Sequence, residues 1–213
     1  MTRTSRKENI KEMNREAIIH ASEILMANNP AGLEKVTMDD IAKTADFTKR
    51  TLYQYFQSKE EIYVAIVIRG FEGMVHQLER VLDTTLHGLE QVKKFGLALI
   101  EYSQKDPLHF FATISYVPNA LDGKVRPELM MELFRQGEIS MSYLIDSIQK
   151  GMKDGSIRKD INPQEAAFSI WAMLTGLLTT GQTKQSYMLQ TYGIDLPNWL
   201  EEATKLILDG LKG

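Results

Sequence analysis

The sequence contains no cysteine and only 6 prolines among its 213 residues. Without cysteine there can be no disulfide framework, thiol nucleophile, thiol redox sensor or cysteine-based zinc site. No apolar run is long enough to span a bilayer, and the polar residues 1–11 lack the apolar core of a secretory signal. The sequence therefore predicts a cytoplasmic protein without a membrane partner.

Signals of catalysis are also missing. The histidines have no metal-ligand spacing, and the sequence contains neither a G-x-S-x-G motif nor a phosphate-binding glycine loop. Acidic pairs such as Asp39-Asp40 stand at predicted helix starts, where carboxylates satisfy free N–H groups. We therefore expect no enzymatic activity, no metal site and no cofactor.

Basic residues are concentrated near the N-terminus, although the formal net charge is -3. Residues 1–15 carry more basic than acidic side chains, and a second basic group follows between residues 49 and 59. The acidic balance lies after residue 60. This distribution is compatible with one DNA-binding end on a larger acidic body.

Capping signals divide the stretch from residue 37 to residue 61 into short helices. Thr37 with Asp40, and Ser58 with Glu61, have the spacing of a capping box, in which side chains satisfy the free N–H groups of a first helical turn. Thr48 supplies a hydroxyl cap for the next helix. A tight turn separates the two helices, as a helix-turn-helix requires.

Three helices are predicted for this N-terminal part. Apolar residues recur at helical spacing from Ile10 to Leu25, in a helix predicted to end near residues 28–30. The capped segments predict helices over about 38–44 and 48–56. Leu52 and Phe56 are expected to point into a three-helix core.

The outer face of the last of these helices is cationic and aromatic. Lys49, Arg50 and Tyr53 share one side of the helix, opposite the predicted core residues. Such side chains can reach guanine acceptors, thymine methyls and phosphates in a major groove. A Lys-Arg pair on an isolated short helix is usually a solvated face, but the threonine caps and the tight turn favour DNA binding.

Four neighbouring residues are placed to contact the DNA backbone. The hydroxyls of Thr37 and Thr48 lie at helix N-termini, where free N–H groups and the helix dipole favour phosphate. Tyr55 and Lys59 flank the cationic face of the last of the three helices, which we call the recognition helix.

Residues 39–62 carry a resemblance to a known family. The run D-D-I-A-K-T-A-D-F-T-K-R-T-L-Y-Q-Y-F-Q-S-K-E-E-I resembles the N-terminal DNA-binding signature of TetR-family transcriptional regulators, T-x-x-x-I-A-x-x-A-G-V-S-x-x-x-L-Y-x-Y-F-x-x-K-E-x-L. Phe47 replaces the usual aliphatic residue. Asp46 replaces the usual glycine of the turn, and Asp tolerates a left-handed conformation better than most residues. The resemblance covers about residues 9–65, and beyond them it extends only to length, helical character and helix order.

The resemblance implies a division of roles on DNA. It implies phosphate contacts from Thr37, Thr48, Tyr55 and Lys59. It implies contacts to bases or the adjacent backbone from Lys49, Arg50, Thr51 and Tyr53. Arg50 is expected to read a base, because bidentate guanine contact is the commonest specific contact. The basic arm of Arg3, Arg6 and Lys7 either reaches the neighbouring backbone or minor groove or is a solubilising tail.

The predicted fold class is all-α with two domains. A three-helix helix-turn-helix domain with a short basic N-terminal arm is expected over residues 1–60, and a larger helical ligand-binding and dimerisation domain over residues 61–213. Gly70 and Gly73, in the long helix between the two, are either flex points or close packing positions. The remaining helix predictions are Ser58 to about Thr84, Leu89 to Lys105, one opened by Pro107, Pro127 to Lys153, one capped by Asn162 and one from Pro197. Residues 182–190 are interpreted as a looser connection.

Apolar side chains in the body are numerous enough to line a cavity for a small hydrophobic or amphipathic effector. The alternative is that each is ordinary core. The candidate ligand-binding residues are Phe71, Met74, Phe95, Leu99, Phe110, Ile114, Phe134, Met141 and Trp171.

The last two long helices are expected to form a homodimer interface. The resemblance implies that they pair with their counterparts in a four-helix arrangement, and small residues near residue 175 would let backbones approach closely. Two-fold symmetry also suits the reading of a palindromic operator. The candidate interface residues are Ala172, Thr175, Thr179, Leu200, Thr204, Ile207 and Leu208.

The sequence thus predicts a ligand-responsive transcriptional regulator. Repression is the mode that the resemblance implies. The alternative is a helical protein-interaction module whose cationic helix binds an acidic partner without specific DNA binding.

Overall fold

The protein is described by a computed structural model over residues 3–29 and 34–213, with side chains from Arg6 onward. The described residues form nine α-helices and one isolated antiparallel bridge, between Ile157 and Lys212. This confirms the all-α class. None of these helices is long and apolar enough to cross a membrane. The helices are α1 (Arg3–Ala27), α2 (Met38–Thr44), α3 (Lys49–Leu52), α4 (Lys59–Val81), α5 (Gly88–Lys105), α6 (Pro107–Ser115), α7 (Pro127–Asp154), α8 (Pro163–Tyr192) and α9 (Leu196–Asp209), with a 3-10 helix at Pro118–Leu121.

The chain divides into two compact units. The first unit contains Met1–Phe71 and Leu108–Gln136, and the second contains Glu72–Pro107 and Gly137–Gly213. Helices α4 and α7 contribute residues to both units. The division into domains at residue 60 stays a prediction, because compactness alone does not tell which segments fold or function independently.

Helix α1 differs from the sequence prediction in two ways. It begins at Arg3 rather than near Ile10, and three of its apolar side chains are exposed: Ile10 (51%), Met13 (70%) and Ile24 (42%). These three share a face turned away from the core, which α1 instead contacts through Ile18 and its neighbours. The predicted end near residues 28–30 agrees with the observed end at Ala27, while Pro30 and Gly32 lie outside the described residues.

The turn between α2 and α3 has the predicted local structure. Thr37 Oγ1 accepts a hydrogen bond from Asp40 N at 3.2 Å, and Asp40 Oδ2 accepts one from Thr37 N at 2.9 Å, which completes the capping box. Asp46 has a φ of 57°, the left-handed conformation expected where the signature has glycine. Leu52 and Phe56 are buried, as predicted.

Helix α3 is shorter than predicted. Regular α-helix ends at Leu52 rather than at Phe56, and the chain then makes a tighter turn in which Tyr55 N donates to Leu52 O at 3.0 Å. The prediction failed because Phe56 keeps the helical spacing to Leu52 through a hydrogen bond of its own, from Phe56 N to Leu52 O at 3.1 Å. The apolar pattern therefore continues although the helix does not.

Close packing, rather than flexibility, explains the glycines of α4. In the first unit, a Cβ atom on Gly70 would lie 2.6 Å from His109 O and 2.6 Å from Thr113 Cγ2 of α6. In the second unit, a Cβ atom on Gly73 would lie 2.5 Å from the Tyr102 hydroxyl of α5. Both distances are shorter than van der Waals contact. The contact at Gly70 is with backbone, so glycine is required there, whereas a Cβ atom at Gly73 would displace the Tyr102 side chain.

Helix α8 corrects the prediction of a looser connection over residues 182–190. The Asn162 cap is present, with Gln164 N donating to Asn162 Oδ1 at 2.9 Å, but the helix continues through the polar segment to Tyr192. Gly181 is a packing position, where a Cβ atom would lie 2.8 Å from Leu196 Cδ1. Gly193, with a φ of 68°, ends the helix.

Candidate nucleic-acid interface

Helix α3 presents its predicted DNA-reading face to solvent. Lys49, Arg50 and Tyr53 are exposed, whereas Leu52 on the opposite side is fully buried. No carboxylate pairs with the Arg50 guanidinium within the part of the chain that the structure describes. Arg50 is thus a cation whose five N–H donors are available to a ligand.

Two threonines fix the first turn of α3. Thr48 Oγ1 accepts a hydrogen bond from Thr51 N at 3.1 Å, and the hydroxyls of Thr48 and Thr51 lie 2.8 Å apart. This cap holds the N-terminus of a helix that is too short to be stable by itself. The Thr51 hydroxyl therefore contacts Thr48, which the sequence pattern did not predict.

Lys49 is joined to the preceding helix. Its Nζ lies 2.8 Å from Asp39 Oδ2, and both side chains are exposed. The hydrogen bond from Lys49 to Asp39 raises the pKa of the ammonium. A phosphate or base that binds Lys49 must compete with this carboxylate.

Thr37 also has an acidic neighbour. Its hydroxyl donates to Asp40 Oδ2 at 2.6 Å, and hydrogen bonds from the Thr37 side chain and backbone lower the pKa of the Asp40 carboxyl. The N-terminus of α2 is therefore already capped by a carboxylate at the position where a phosphate contact is expected.

Tyr55 is held from two distant parts of the chain. Asn14 Nδ2 of α1 donates to the Tyr55 hydroxyl at 2.9 Å, and Arg126 Nη2 donates to Tyr55 O at 3.4 Å. The ring of Tyr55 is half-buried. Neither partner was predicted, because Asn14 and Arg126 lie 41 and 71 residues away in the sequence.

We call residues 37–61 the recognition segment. A buried carboxylate joins the end of this segment to the start of α7. Glu61 is fully buried and accepts hydrogen bonds from Gln57 N at 2.8 Å, Arg126 Nε at 2.8 Å and Arg126 N at 3.1 Å. Glu61 N donates to Ser58 Oγ at 3.1 Å, so one half of the predicted capping box is present. In the other half, the Glu61 carboxylate would accept a hydrogen bond from Ser58 N. It accepts one from Gln57 N instead.

Lys59 contacts the segment before α2. Its Nζ donates to Glu34 O at 2.8 Å and to Val36 O at 3.4 Å, and the side chain is half-buried. The ammonium thus holds the entry of α2 close to the start of α4. A phosphate contact by Lys59 stays a prediction.

The candidate ligand-binding residues are divided between the two units. In the first unit, Phe71 and Phe110 are buried and Ile114 is half-buried, whereas Phe134 is 45% exposed. In the second unit, Met74, Phe95 and Leu99 are buried, and Met141 and Trp171 are half-buried.

The second unit contains a half-open cleft of about 710 Å³ between α5 and α9. Apolar side chains of both helices, including Leu97 and Leu208, line it. None of the candidate ligand-binding residues lies in its lining. Three of the candidate dimer residues do, namely Leu200, Thr204 and Leu208.

Helix α8 has an exposed face of small and apolar residues. Ala172 and Thr179 are exposed and Thr175 is half-buried, and they are accompanied by exposed Phe168 (61%) and Met173 (45%). On α9, Leu200 and Thr204 are buried within the unit, and Ile207 and Leu208 are half-buried. The exposed apolar residue of α9 is instead Leu206 (75%).

Comparison with known proteins gives the same assignment for the N-terminal part. Residues 18–66 match the family described as "Bacterial regulatory proteins, tetR family". The uncharacterized HTH-type transcriptional regulator YhgD of Bacillus subtilis is 27% identical over 148 residues, which cover 69% of this chain and 74% of that protein. The HTH-type transcriptional repressor KstR2 of Mycolicibacterium smegmatis is 30% identical over 132 residues, or 62% of each chain. The HTH-type transcriptional activator FasR of the same species is 30% identical over 89 residues, and the match spans only 39% of its length.

Solved structures share the fold over most of the chain. A TetR-family regulator, PfmR of Thermus thermophilus, has a TM-score of 0.65 and 20% identity, over 92% of this chain and 99% of that one. The transcriptional regulator FadR of Bacillus subtilis, solved in complex with stearoyl-CoA, has a TM-score of 0.68 and 20% identity, over 92% and 98%.

The fold and the exposed recognition helix define a transcriptional regulator with a helix-turn-helix DNA-binding domain. Its N-terminal residues 18–66 match the tetR family of regulatory proteins, and its helical architecture is shared with TetR-family regulators of known structure, as the resemblance predicted.

Proposed function

We propose that the protein is a repressor that binds a palindromic operator as a homodimer and is released by a small hydrophobic or amphipathic effector. The observation that carries the DNA-binding part is the outward face of α3. There Arg50 is exposed and without a carboxylate partner in the described chain, on a helix fixed by the Thr48 cap. Repression is supported by similarity to a named repressor, KstR2.

The proposed contacts follow from the exposure and neighbours of each side chain. Arg50 and Tyr53 read bases, because both project from α3 on the side opposite Leu52. Lys49 and Thr51 contact bases or the adjacent backbone. Phosphates are bound by Thr37, Thr48, Tyr55 and Lys59.

The homodimer is proposed to use the exposed face of α8. Phe168, Ala172 and Met173 are apolar and exposed there, and burying them in a two-fold interface would remove apolar surface from water. Leu206 of α9 joins this interface. The buried positions Leu200 and Thr204 contribute to packing within the unit rather than to direct contact.

The effector is proposed to carry a long apolar chain. Support comes from a protein of similar fold, FadR, which was solved with stearoyl-CoA. The buried aromatic side chains of the body, such as Phe95 and Phe110, and the buried Met74 suit an apolar ligand of variable shape.

A selection of random duplexes with the purified full-length protein tests the DNA-binding function. A palindromic sequence should be enriched, and its affinity should exceed that of random duplex by at least about a thousandfold and fall steeply with salt. Without any sequence preference, the protein-interaction alternative would replace this proposal.

Two substitutions test the division between base and backbone contacts. Arg50→Ala should relax sequence preference at one position of each half-site, at a cost of about 1–3 kcal/mol per half-site of the selected duplex. Lys59→Ala should weaken binding to all duplexes and reduce the salt dependence. If both variants lost affinity equally on selected and random duplexes, the assignment of Arg50 as the base reader would be wrong.

Titration with stearoyl-CoA, with free coenzyme A as the control, tests the effector. The acyl compound should raise the thermal midpoint and release the selected duplex, because a ligand that binds one state shifts the equilibrium towards it. No change in either property across acyl chains of several lengths would contradict the proposed effector class while leaving DNA binding intact.

A further inference from the structure

The N-terminal turns of α1 extend beyond the core of the first unit. Every side chain from Arg6 to Met13 is exposed, whereas Asn14 and Arg15 are half-buried and Ile18 is fully buried. This part of α1 is therefore mostly surrounded by water rather than packed between other helices of the described chain.

One stripe of α1 runs without interruption from the core into this extension. Successive spacings of three and four residues place its members on one face of the helix. We call this face the inner stripe. Within the core it contains apolar and amide residues, and in the extension it contains only lysines. From the N-terminal end its members are Lys7, Lys11, Asn14, Ile18, Ala21 and Leu25.

Asn14 shows which part of the first unit this stripe faces. Its side-chain amide donates to the hydroxyl of Tyr55, a residue that follows the recognition helix. Arg15, beside it, lies over the ring of Phe56 at 5.5 Å from the centroid. Lys11 lies one helical turn before Asn14 on the same stripe, so it projects past Tyr55 on the side of the recognition segment.

The acidic side chains Glu8, Glu12 and Glu16 lie on a neighbouring face of α1; Glu8 is exposed, and the other two are compensated. Glu12 and Glu16 lie 3.6 and 3.7 Å from Arg15, and Glu16 also pairs with Arg69. Lys7 and Lys11 are exposed and have no ion-pair partner among the described side chains. The inner stripe therefore ends in two uncompensated positive charges.

We propose that Lys11 and Lys7 bind the sugar-phosphate backbone of the operator, outside the segment read by α3, so that α1 acts as a helical extension of the DNA-binding surface. The inference rests on the proposed function. Lys7 and Lys11 are separated by about 6 Å along the helix axis, so their two charges form one positively charged patch. Arg6, on another face of α1 beside Met13, takes no part in this contact.

The test compares single and double variants of the full-length protein on the selected duplex over a range of salt concentrations. Removal of one phosphate contact should reduce the slope of log affinity against log salt by about 0.9. Because both protomers of the proposed dimer carry the substitution, Lys11→Ala should lower the slope by about 1.8, and the Lys7→Ala/Lys11→Ala double variant by about 3.6, with at least about tenfold weaker binding at low salt. Lys11→Arg should restore the slope.

Lys184→Ala is the matched control, because it removes one exposed positive charge from α8 of the second unit. Its slope should remain that of the wild type. Equal slopes for Lys184→Ala and Lys11→Ala, or a wild-type slope for the double variant, would overturn the inference. Thermal midpoints equal to that of the wild type establish that the variants are folded.

A second experiment uses a shorter DNA duplex. Removing the base pairs that flank the selected sequence should weaken wild-type binding to the level of the double variant and should leave the double variant unaffected. If shortening weakened both proteins equally, the flanking contact would not come from these lysines. A wild-type protein that prefers no duplex would refute the proposed function itself, whereas normal wild-type binding with an unaffected double variant would refute only this inference.

Discussion

The recognition segment of the first unit and helix α8 of the second unit are stabilised in different ways. From residue 37 to residue 61, side-chain hydrogen bonds to nearby backbone fix each turn, as Thr37, Thr48 and Glu61 show. Helix α8 instead leaves large apolar side chains in water, with Phe168 61% exposed. The recognition segment is therefore fixed mainly by interactions between residues close in sequence. The exposed face of α8, by contrast, has the apolar composition of a protein–protein interface.

The largest difference between the two regions is expected in the free energy of unfolding after a phenylalanine is substituted in each. Phe56→Ala should lower the free energy of unfolding by about 3–5 kcal/mol, because the ring is 1% exposed and its removal leaves a cavity. Phe168→Ala should change it by no more than about 0.5 kcal/mol in the monomer, because that ring already contacts water.

Urea denaturation at low protein concentration measures both effects, and sedimentation then measures self-association. Phe168→Ala should weaken the proposed dimer, whereas equal losses of monomer stability from the two substitutions would contradict the comparison.

An intermediate effect is expected at the contact between the recognition segment and α7. Arg126→Ala should lower the free energy of unfolding by about 1.5–3 kcal/mol, because it removes a charged hydrogen bond from the fully buried Glu61. It also removes the bond to Tyr55 O, so affinity for the selected duplex should fall. Arg126→Lys is the control that keeps the charge but loses the planar fork. Wild-type stability in Arg126→Ala would show that Glu61 is satisfied by its backbone donors alone.

The smallest effect is expected at the surface of the recognition segment. Asp39→Asn should strengthen binding to random duplex about two- to fivefold, because it releases Lys49 from an exposed ion pair and removes a negative charge beside the DNA. Fluorescence anisotropy at low salt measures the change, and Glu138→Gln, an exposed acid of the body, controls for net charge. Weaker binding in Asp39→Asn would mean that Asp39 positions Lys49 for its contact.

Much of the recognition segment is predictable from the sequence because its determinants are local. The Thr37 cap needs only Asp40, three residues away, and the left-handed turn needs only a residue such as Asp46 that tolerates it. The same holds for the Asn162 cap of α8. Such signals are visible without any knowledge of the tertiary structure.

The remaining features depend on contacts between distant residues. The sequence shows Asn14 only as a polar residue of α1. Its hydrogen bond to the Tyr55 hydroxyl becomes visible only in the folded structure. The polar end of α8 has no apolar periodicity, yet it stays helical up to the left-handed Gly193, while Gly181 is a packing position rather than a helix end. Apolar residues of the body have the same composition whether they form core, pocket or interface, so periodicity alone does not separate these roles.

The fit of Gly70 against α6 also has a genetic meaning. Every single-nucleotide missense change of a glycine codon adds at least a Cβ atom, and at this position that atom would lie 2.6 Å from a backbone carbonyl of α6. No conservative replacement is therefore reachable in one step. In a saturation library selected for regulated expression, codon 70 should be depleted of all substitutions, and revertants should arise by restoring glycine or by second changes in α6 that move its backbone away.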